Sequence, residues 1–176
     1  SDLEKMRKLA KNLSPAVVAI ARKHATAKGV PLREVVATIL RESGGKPRAR
    51  NLSAKEDSRG LMQVNVRAHS ALLARKGMAP DDLYDPDKGV DVGTLLYADA
   101  RKHVAALVAK SAVPQHKQAH SLDTLTRLYY AGPKYVTETL QKAQSTDDTK
   151  HLFKNSETYV DHWRNAMQAV REAGIA

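Results

Sequence analysis

The chain has 176 residues, of which 42% are hydrophobic, and a formal net charge of +10 from 29 basic and 19 acidic residues. This length suits one domain with one sizeable core, and the absence of cysteine excludes a disulfide framework. No apolar stretch is long enough to span a bilayer, and no signal peptide is visible. The charge favours polyanionic partners, either nucleic acid or an anionic bacterial envelope. Basic residues are spread along the chain without a basic block, which argues against a nucleic-acid-binding tail.

Helical periodicity and Ser, Pro and Gly boundary signals predict a mainly α-helical chain. The predicted helices cover, in chain order, residues 2–11, 14–29, 31–43, 64–75, 89–110, 121–130 and 133–140, followed by a last helix with the apolar stripe Tyr159, Val160, Trp163, Met167 and Val170. Between them we expect a loop with at most a short hairpin at 44–60, a turn at 83–86, a polar linker at 111–120 and a turn at 145–148. We expect a single domain over residues 14–176, preceded by an N-terminal helical extension over residues 1–13.

One carboxylate, that of Glu42, lies on the apolar face of a predicted helix. Ile39 and Val35 precede it by three and seven residues and therefore share its face. Gly44-Gly45 ends the helix directly after it. Burial and the negative end of the helix dipole both favour a protonated carboxyl group there, as a catalytic proton donor requires. The alternative from the same pattern is a solvated Glu near a helix end.

Four motifs follow one another along the chain: Glu42-Ser43, Gly60-Leu61-Met62-Gln63, Tyr129-Tyr130-Ala131-Gly132-Pro133 and Tyr159-Val160. In this order they resemble the soluble lytic transglycosylase domain, a lysozyme-like muramidase fold. The resemblance spans roughly residues 31–163. It implies a mainly α, goose-type lysozyme-like helical domain, with at most a short hairpin or irregular loop near residues 45–60. It also implies that no cofactor and no metal are needed.

The resemblance assigns roles to four residues in the first half of the chain. Glu42 matches the family's single catalytic acid/base. Ser53 matches the serine that hydrogen-bonds near that acid, and Met62 and Gln63 match the pair that lines the sugar groove. The loop from Ser53 to Gly60 is about one residue longer than is usual in the family, and more charged.

Three tyrosines in the second half are implied to bind substrate. Tyr129 matches the first tyrosine of the family's Ala-Tyr-Asn-Ala-Gly motif, and Tyr159 matches a late tyrosine that approaches the catalytic carboxyl group. Tyr130 stands where the family usually has Asn, so the groove contact made by that amide is altered here. Asn155 falls where the family's late motif has Glu.

The implied activity is that of a peptidoglycan lytic transglycosylase, which cleaves the bond between N-acetylmuramic acid and N-acetylglucosamine and forms a 1,6-anhydro ring. The expected partners are peptidoglycan glycan strands and the anionic bacterial envelope, with no nucleic acid and no transmembrane segment. We expect a monomer that acts in the periplasm or cell envelope. It would be a bacteriophage lysis enzyme, a bacteriophage entry enzyme carried in the virion, or a bacterial wall remodeller.

Several alternatives stay open at this point. A hydrolytic muramidase on the same fold would use Asp57 or Glu56 to activate water. A non-catalytic envelope-binding or virion-structural protein, or a nucleic-acid-binding protein, would not need Glu42. A wall endopeptidase is disfavoured because there is neither a zinc-binding HExxH motif nor a Cys/His pair, and a serine hydrolase because there is no G-x-S-x-G motif.

The seven histidines do not predict a metal site. His116 and His120 are four residues apart, but they fall in or near the polar linker. The other five, at positions 24, 69, 103, 151 and 162, are predicted to lie at the surface or at helix ends.

Overall fold

The computed structural model describes residues 1–114, 118–143 and 152–176. The turn predicted at 145–148, His116, His151 and the middle of the linker predicted at 111–120 lie outside the described residues. The helices are α1 (Asp2–Lys11), α2 (Pro15–Lys28), α3 (Leu32–Ser43), α4 (Ser70–Arg75), α5 (Pro86–Lys110), α6 (Leu122–Ala131), α7 (Pro133–Lys142) and α8 (Glu157–Glu172), with 3-10 helices at Pro80–Tyr84 and Lys154–Ser156. The strands are β1 (Arg50–Leu52), β2 (Asp57–Arg59) and β3 (Val64–Asn65). The mainly α fold class is therefore confirmed.

The chain divides into two compact units. The first comprises residues 1–95 and 165–176, and the second comprises residues 96–164. None of the helices within the described ranges is both long and apolar enough to cross a membrane. The same ranges contain no group of three or more metal-binding side chains.

Boundary residues explain where the first helices begin and end. The Ser14 hydroxyl accepts the Ala16 N–H, and Pro15 occupies the first helical position, where a missing N–H costs nothing. Gly29 ends α2 in the left-handed conformation, and Gly44 ends α3 in the same way. Both ends fall where the sequence placed them.

Helix α1 packs against α3 within the first unit. Met6 and Ala10 are buried, and the Arg41 guanidinium donates to Asp2 at 3.3 Å. A Cβ atom on Gly45 would lie 2.6 Å from Leu13 Cδ1, so the segment that follows α1 closes over the end of α3. The division between an extension over residues 1–13 and a domain over 14–176 stays a prediction.

The three strands form one antiparallel sheet in the order β1-β2-β3. Arg50 pairs with Arg59 and Leu52 with Asp57, and on the other side of β2 Arg59 pairs with Val64. The helix predicted over residues 64–75 is therefore wrong in its first part, because Val64–Asn65 forms β3 and the helix begins only at Ser70.

The side chain of Asn65 supplies the physical reason for this difference. Its Oδ1 atom accepts the backbone N–H groups of Asp57 and Arg67, at 3.3 and 3.1 Å. Such side-chain-to-backbone bonds compete with helical hydrogen bonds.

The second unit has its own apolar core, which α5, α6, α7 and α8 supply together with Phe153. The fully or almost fully buried members of this core are Val104, Leu125, Leu128, Val136, Leu140, Phe153 and Val160. Gly132 ends α6 by donating to the Leu128 carbonyl at 2.8 Å, and Pro133 begins α7 at once. The break predicted at Gly132-Pro133 is confirmed.

His24 is not at the surface, so the prediction for this histidine was wrong. Only 6% of it is exposed, and its Nε2 atom lies 2.9 Å from Asp87 Oδ1. Its Nδ1 atom lies 3.5 Å from Asp91 Oδ1. Both carboxylates come from the first two turns of α5. They are more than sixty residues from His24 in the sequence, so the pattern of α2 alone does not predict these contacts.

The packing of α5 on the Gly60–Gln63 turn gives a stability prediction. A Cβ atom on Gly93 would lie 2.5 Å from Met62 Cβ, and Met62 is completely buried. Replacing a helical Gly with Ala ordinarily stabilises a helix by up to about 1 kcal/mol. We expect Gly93→Ala instead to lower the free energy of unfolding by roughly 1–3 kcal/mol, because Met62 has to move.

Urea unfolding followed by circular dichroism measures the effect. The matched control is Ala105→Gly, an exposed position on the same helix, which should cost about 1 kcal/mol from helix propensity alone. If Gly93→Ala stabilised the protein, the close contact between α5 and Met62 would be refuted.

Candidate active site

Glu42 lies in the last turn of α3 and is half-buried. Ile39 and Val35 on the same face are both completely buried, so this face is the core face. The Ser43 hydroxyl donates to the Ile39 carbonyl at 3.0 Å and accepts the Gly45 N–H at 3.1 Å. This residue therefore fixes the chain on both sides of the helix end. The backbone that carries Glu42 is positioned by hydrogen bonds as well as by packing.

The Gly60–Gln63 turn lies in the same unit and is tightly packed. Gly60 has φ +83°, and a Cβ atom there would lie 2.1 Å from the Leu83 carbonyl oxygen. Met62, predicted to line the sugar groove, directs its side chain into the core, where its sulfur lies 3.6 Å from the Thr94 hydroxyl. Met62 as a whole has no exposed surface, so a contact between its side chain and a sugar stays a prediction.

Gln63 cross-links the turn to the linker that follows α3. Its Nε2 atom donates to the carbonyl oxygens of Ala49 and Gly60, at 3.0 and 2.9 Å. Its Oε1 atom accepts no hydrogen bond from the described residues. The side chain is half-buried and therefore partly accessible. Its φ of +51° is unusual for a residue other than Gly, and such strain often marks a functional position.

Ser53 occupies the exposed turn between β1 and β2. Its hydroxyl oxygen accepts the N–H groups of Lys55 and Glu56, both at 3.2 Å. Among the described residues its hydroxyl bonds only within this turn, which it closes. A contact between Ser53 and the catalytic acid stays a prediction.

Asp57 is the centre of an ion-pair cluster in the sheet. It receives two hydrogen bonds from the Arg50 guanidinium and two from the Arg59 guanidinium, at 2.8–3.1 Å. Hydrogen bonds first from Arg59 and then from Arg50 hold the pKa of this carboxyl group far below its ordinary value, against the opposing effect of burial. The Glu56 carboxylate accepts from Asn51 and Ser58 at 3.1 and 2.8 Å.

The second unit contains the three tyrosines, and two of them, Tyr130 and Tyr159, lie beside a buried cation that the sequence analysis missed. Arg127 is 2% exposed, and its guanidinium carbon lies 5.5 Å from the ring centre of Tyr130, 5.4 Å from that of Tyr159 and 5.8 Å from that of Trp163. Cation–π contacts of this kind are worth up to about 2 kcal/mol when desolvated. The sequence contains only a weak signal for it, an arginine between Leu125 and Leu128 on one predicted helix.

Tyr130 and Tyr129 have different surroundings. The Tyr130 ring also lies 5.9 Å from that of Tyr97, so its position in place of an Asn is filled by aromatic packing. Tyr129 is half-buried beside the core of the second unit and stacks on His103, with ring centres 5.8 Å apart and planes 15° from parallel. Tyr129 and His103 thus form a pair of stacked rings.

Residues 19–152 match the sequence profile of the transglycosylase SLT domain. The chain belongs to this family. The match covers Glu42, Gln63 and Tyr129 but ends before Tyr159. A search of curated proteins found no match.

Membership gives this SLT domain a lysozyme-like fold and a peptidoglycan-degrading function of the lytic transglycosylase type. The substrate is the bacterial cell wall. The closely packed glycines Gly60, Gly89 and Gly93 all fall within the matched segment.

The Asp57 cluster should make the stability of the SLT domain depend on pH. The pKa of this carboxyl group is lowered from its ordinary 3.8, so its contribution is present above that value and is lost as the pH falls below it. We expect Asp57→Asn to lower the urea midpoint at neutral pH, and the difference from wild type to shrink from about pH 5 downward. Asp99→Asn, at an exposed position on α5, should show no such convergence. A constant Asp57→Asn deficit down to pH 2 would contradict the cluster.

The cross-link made by Gln63 gives a second prediction. Gln63→Glu keeps the shape but replaces the Nε2 donor with an oxygen that faces two carbonyl oxygens. We expect it to lower the free energy of unfolding by about 1–3 kcal/mol at pH 7, measured by urea unfolding. Gln141→Glu, at an exposed position on α7, should stay within about 0.5 kcal/mol of wild type. Equal effects of the two substitutions would mean that Gln63 does not hold the turn.

Proposed function

We propose that this SLT domain cleaves the β-1,4 bond between N-acetylmuramic acid and N-acetylglucosamine as a lytic transglycosylase, with Glu42 as its single acid/base. The observation that carries the proposal is the position of Glu42, in the family-matched segment, at a helix end fixed by Ser43 and Gly44. A carboxyl group on a rigid helix end can be held close to both the atom that it protonates and the atom that it deprotonates.

The proposed reaction proceeds in two steps. Protonated Glu42 first gives its proton to the glycosidic oxygen as the bond from that oxygen to muramic C1 breaks, which leaves a cation-like centre at C1. The Glu42 carboxylate then takes the proton of the muramic C6 hydroxyl, and the oxygen of that hydroxyl bonds to C1. The products are a shortened strand and a 1,6-anhydro ring, no water is consumed, and Glu42 is protonated again.

The nearest alternative is hydrolysis, which needs a second carboxylate to activate water. The state of Asp57 argues against this group as the base. Four hydrogen bonds from Arg50 and Arg59 and a strongly lowered pKa make it a poor proton acceptor. Glu56, the other candidate, is engaged by Asn51 and Ser58. These contacts favour attack by the internal hydroxyl over attack by water.

Substrate binding in the first unit is proposed for Gln63, Ser53 and the backbone near Met62. Gln63 is the best placed of these, because its Oε1 atom can accept from an acetamido N–H or a sugar hydroxyl while Nε2 remains bonded to the turn. In the second unit we propose substrate contacts for Tyr129, Tyr130 and Tyr159. Aromatic faces suit the apolar faces of sugar rings, and Arg127 restrains two of these rings.

The cellular setting is also a proposal. A net charge of +10 supports action at an anionic bacterial envelope, in the periplasm or from a phage particle that breaches the wall. Action as a monomer without cofactor or metal, and no binding of nucleic acid, remain predictions.

Mass spectrometry of digested peptidoglycan tests the proposal. Wild type should release muropeptides that end in 1,6-anhydro-muramic acid, one water lighter than hydrolytic products. We expect Glu42→Gln to keep the fold and to lose this activity by at least about a hundredfold, because the amide is too weak an acid to protonate the glycosidic oxygen. Glu4→Gln, at an exposed position on α1, is the matched control and should retain full activity.

Other product patterns would support a different reaction or a non-catalytic role. Reducing muramic ends would indicate hydrolysis and make Asp57→Asn and Glu56→Gln the next variants. Cut peptides with intact glycans would show that a different bond is cleaved. An unchanged rate in Glu42→Gln would refute the assignment of the acid, and folded but inactive wild type would favour a binding or structural role.

A further inference from the structure

Arg48 is an exposed arginine in the linker between α3 and β1. Its guanidinium carbon lies 5.2 Å from the centre of the Tyr84 ring. None of its N–H groups donates to another residue in the parts of the chain that the structure describes. Stacking on a ring restrains a guanidinium without using its donors. A restrained planar fork with unused donors is suited to bidentate binding of a carboxylate.

The acidic side chains around Tyr84 are already engaged by other donors. Asp57 is bonded by Arg50 and Arg59, and Asp81 by Arg59 at 2.7 Å. Asp82 accepts the Ala79 N–H, and Asp85 accepts the Lys88 N–H. Arg48 therefore has no internal counter-ion among the described residues. The neighbouring Arg50 uses Nε and Nη2 on Asp57, which leaves its Nη1 atom without an acceptor within the same described ranges.

This pair of arginines adjoins a proposed substrate-binding residue. Arg48 and Arg50 flank Ala49, whose carbonyl oxygen accepts both the Gln63 side chain at 3.0 Å and the Gly60 N–H at 2.9 Å. The Cα atoms of both arginines are therefore only about 3.8 Å from that of Ala49. A sugar held at Gln63 would bring its substituents within reach of these two long side chains.

We propose that Arg48, assisted by Arg50, binds the free carboxylates of the peptide stems carried by the glycan strand. The inference rests on the proposed function, since only a peptidoglycan substrate brings such stems to Gln63. N-acetylated sugars are uncharged, whereas the peptide stems attached to muramic acid end in carboxylates. The charge of the stems is therefore the feature that a pair of arginines can recognise. The SLT domain would then prefer strands that still carry charged stems.

The test compares one soluble, peptide-bearing glycan before and after chemical amidation of its carboxyl groups. Amidation removes the charge and keeps the length of each stem. We expect wild type to have a KM roughly two- to tenfold lower on the untreated glycan, the range of an exposed charge-assisted contact. Arg48→Gln should remove that difference. Arg22→Gln, an exposed arginine on α2 with the same loss of charge, should keep it.

A binding measurement separates recognition from cleavage. Isothermal titration of the untreated and the amidated glycan into the inactive Glu42→Gln variant should show the same difference in Kd. Adding Arg48→Gln to that variant should remove the difference, with circular dichroism to confirm folding. Arg48→Lys should recover only part of the preference, because an ammonium group lacks the planar fork.

The outcomes distinguish the two proposals. Folded wild type that cleaves neither glycan would refute the proposed function. Cleavage of both with equal KM would refute carboxylate recognition and leave the function intact. If Arg48→Gln and Arg22→Gln lost the preference for the untreated glycan equally, that preference would depend only on net charge, which would overturn the proposal. Competition by inorganic polyphosphate without any effect of amidation would assign the arginines to phosphate instead and overturn the proposal.

Discussion

The first unit depends on the close approach of the Gly60–Gln63 turn to the elements beneath it. Neither Gly60 nor Gly93 has room for a Cβ atom, because the Leu83 carbonyl and the Met62 side chain occupy those spaces. With Met62 buried, the backbone of the turn cannot shift without opening a cavity. The strained φ of Gln63 is maintained by this packing, and its amide in turn holds the linker at Ala49.

Helix boundaries and the core face of α3 could be predicted from the sequence because local signals determine them. Ser14-Pro15, Gly29 and Gly44 act through hydrogen bonds and φ angles within a few residues of themselves. Glu42 could be found for the same reason, since three- and seven-residue spacing is enough to place it on the buried face of its helix. Site residues could be predicted where a helical spacing or a helix-boundary residue within a few positions determines their placement.

Long-range contacts account for what the sequence did not reveal. His24 is buried beside two carboxylates that α5 brings to it, and Val64–Asn65 forms a strand that pairs with β2. Arg127 is the clearest case, because three of the rings around it come from two helices, and no spacing rule predicts a cation there. Arginine also serves in different ways in the described part of the chain: Arg59 is neutralised by carboxylates, Arg127 lies among aromatic rings, and Arg48 donates to no other described residue.

The two ends of the chain meet within the first unit. The Arg7 guanidinium binds the Glu172 carboxylate at 2.6 Å, and Asn165 donates to Asp2 at 2.9 Å. The second unit, by contrast, is one continuous segment. During synthesis on the ribosome, residues 96–164 are therefore complete before the first unit has received its last helical segment. Because contacts between distant residues form slowly, assembly of the unit that carries Glu42 is expected to finish after that of the second unit.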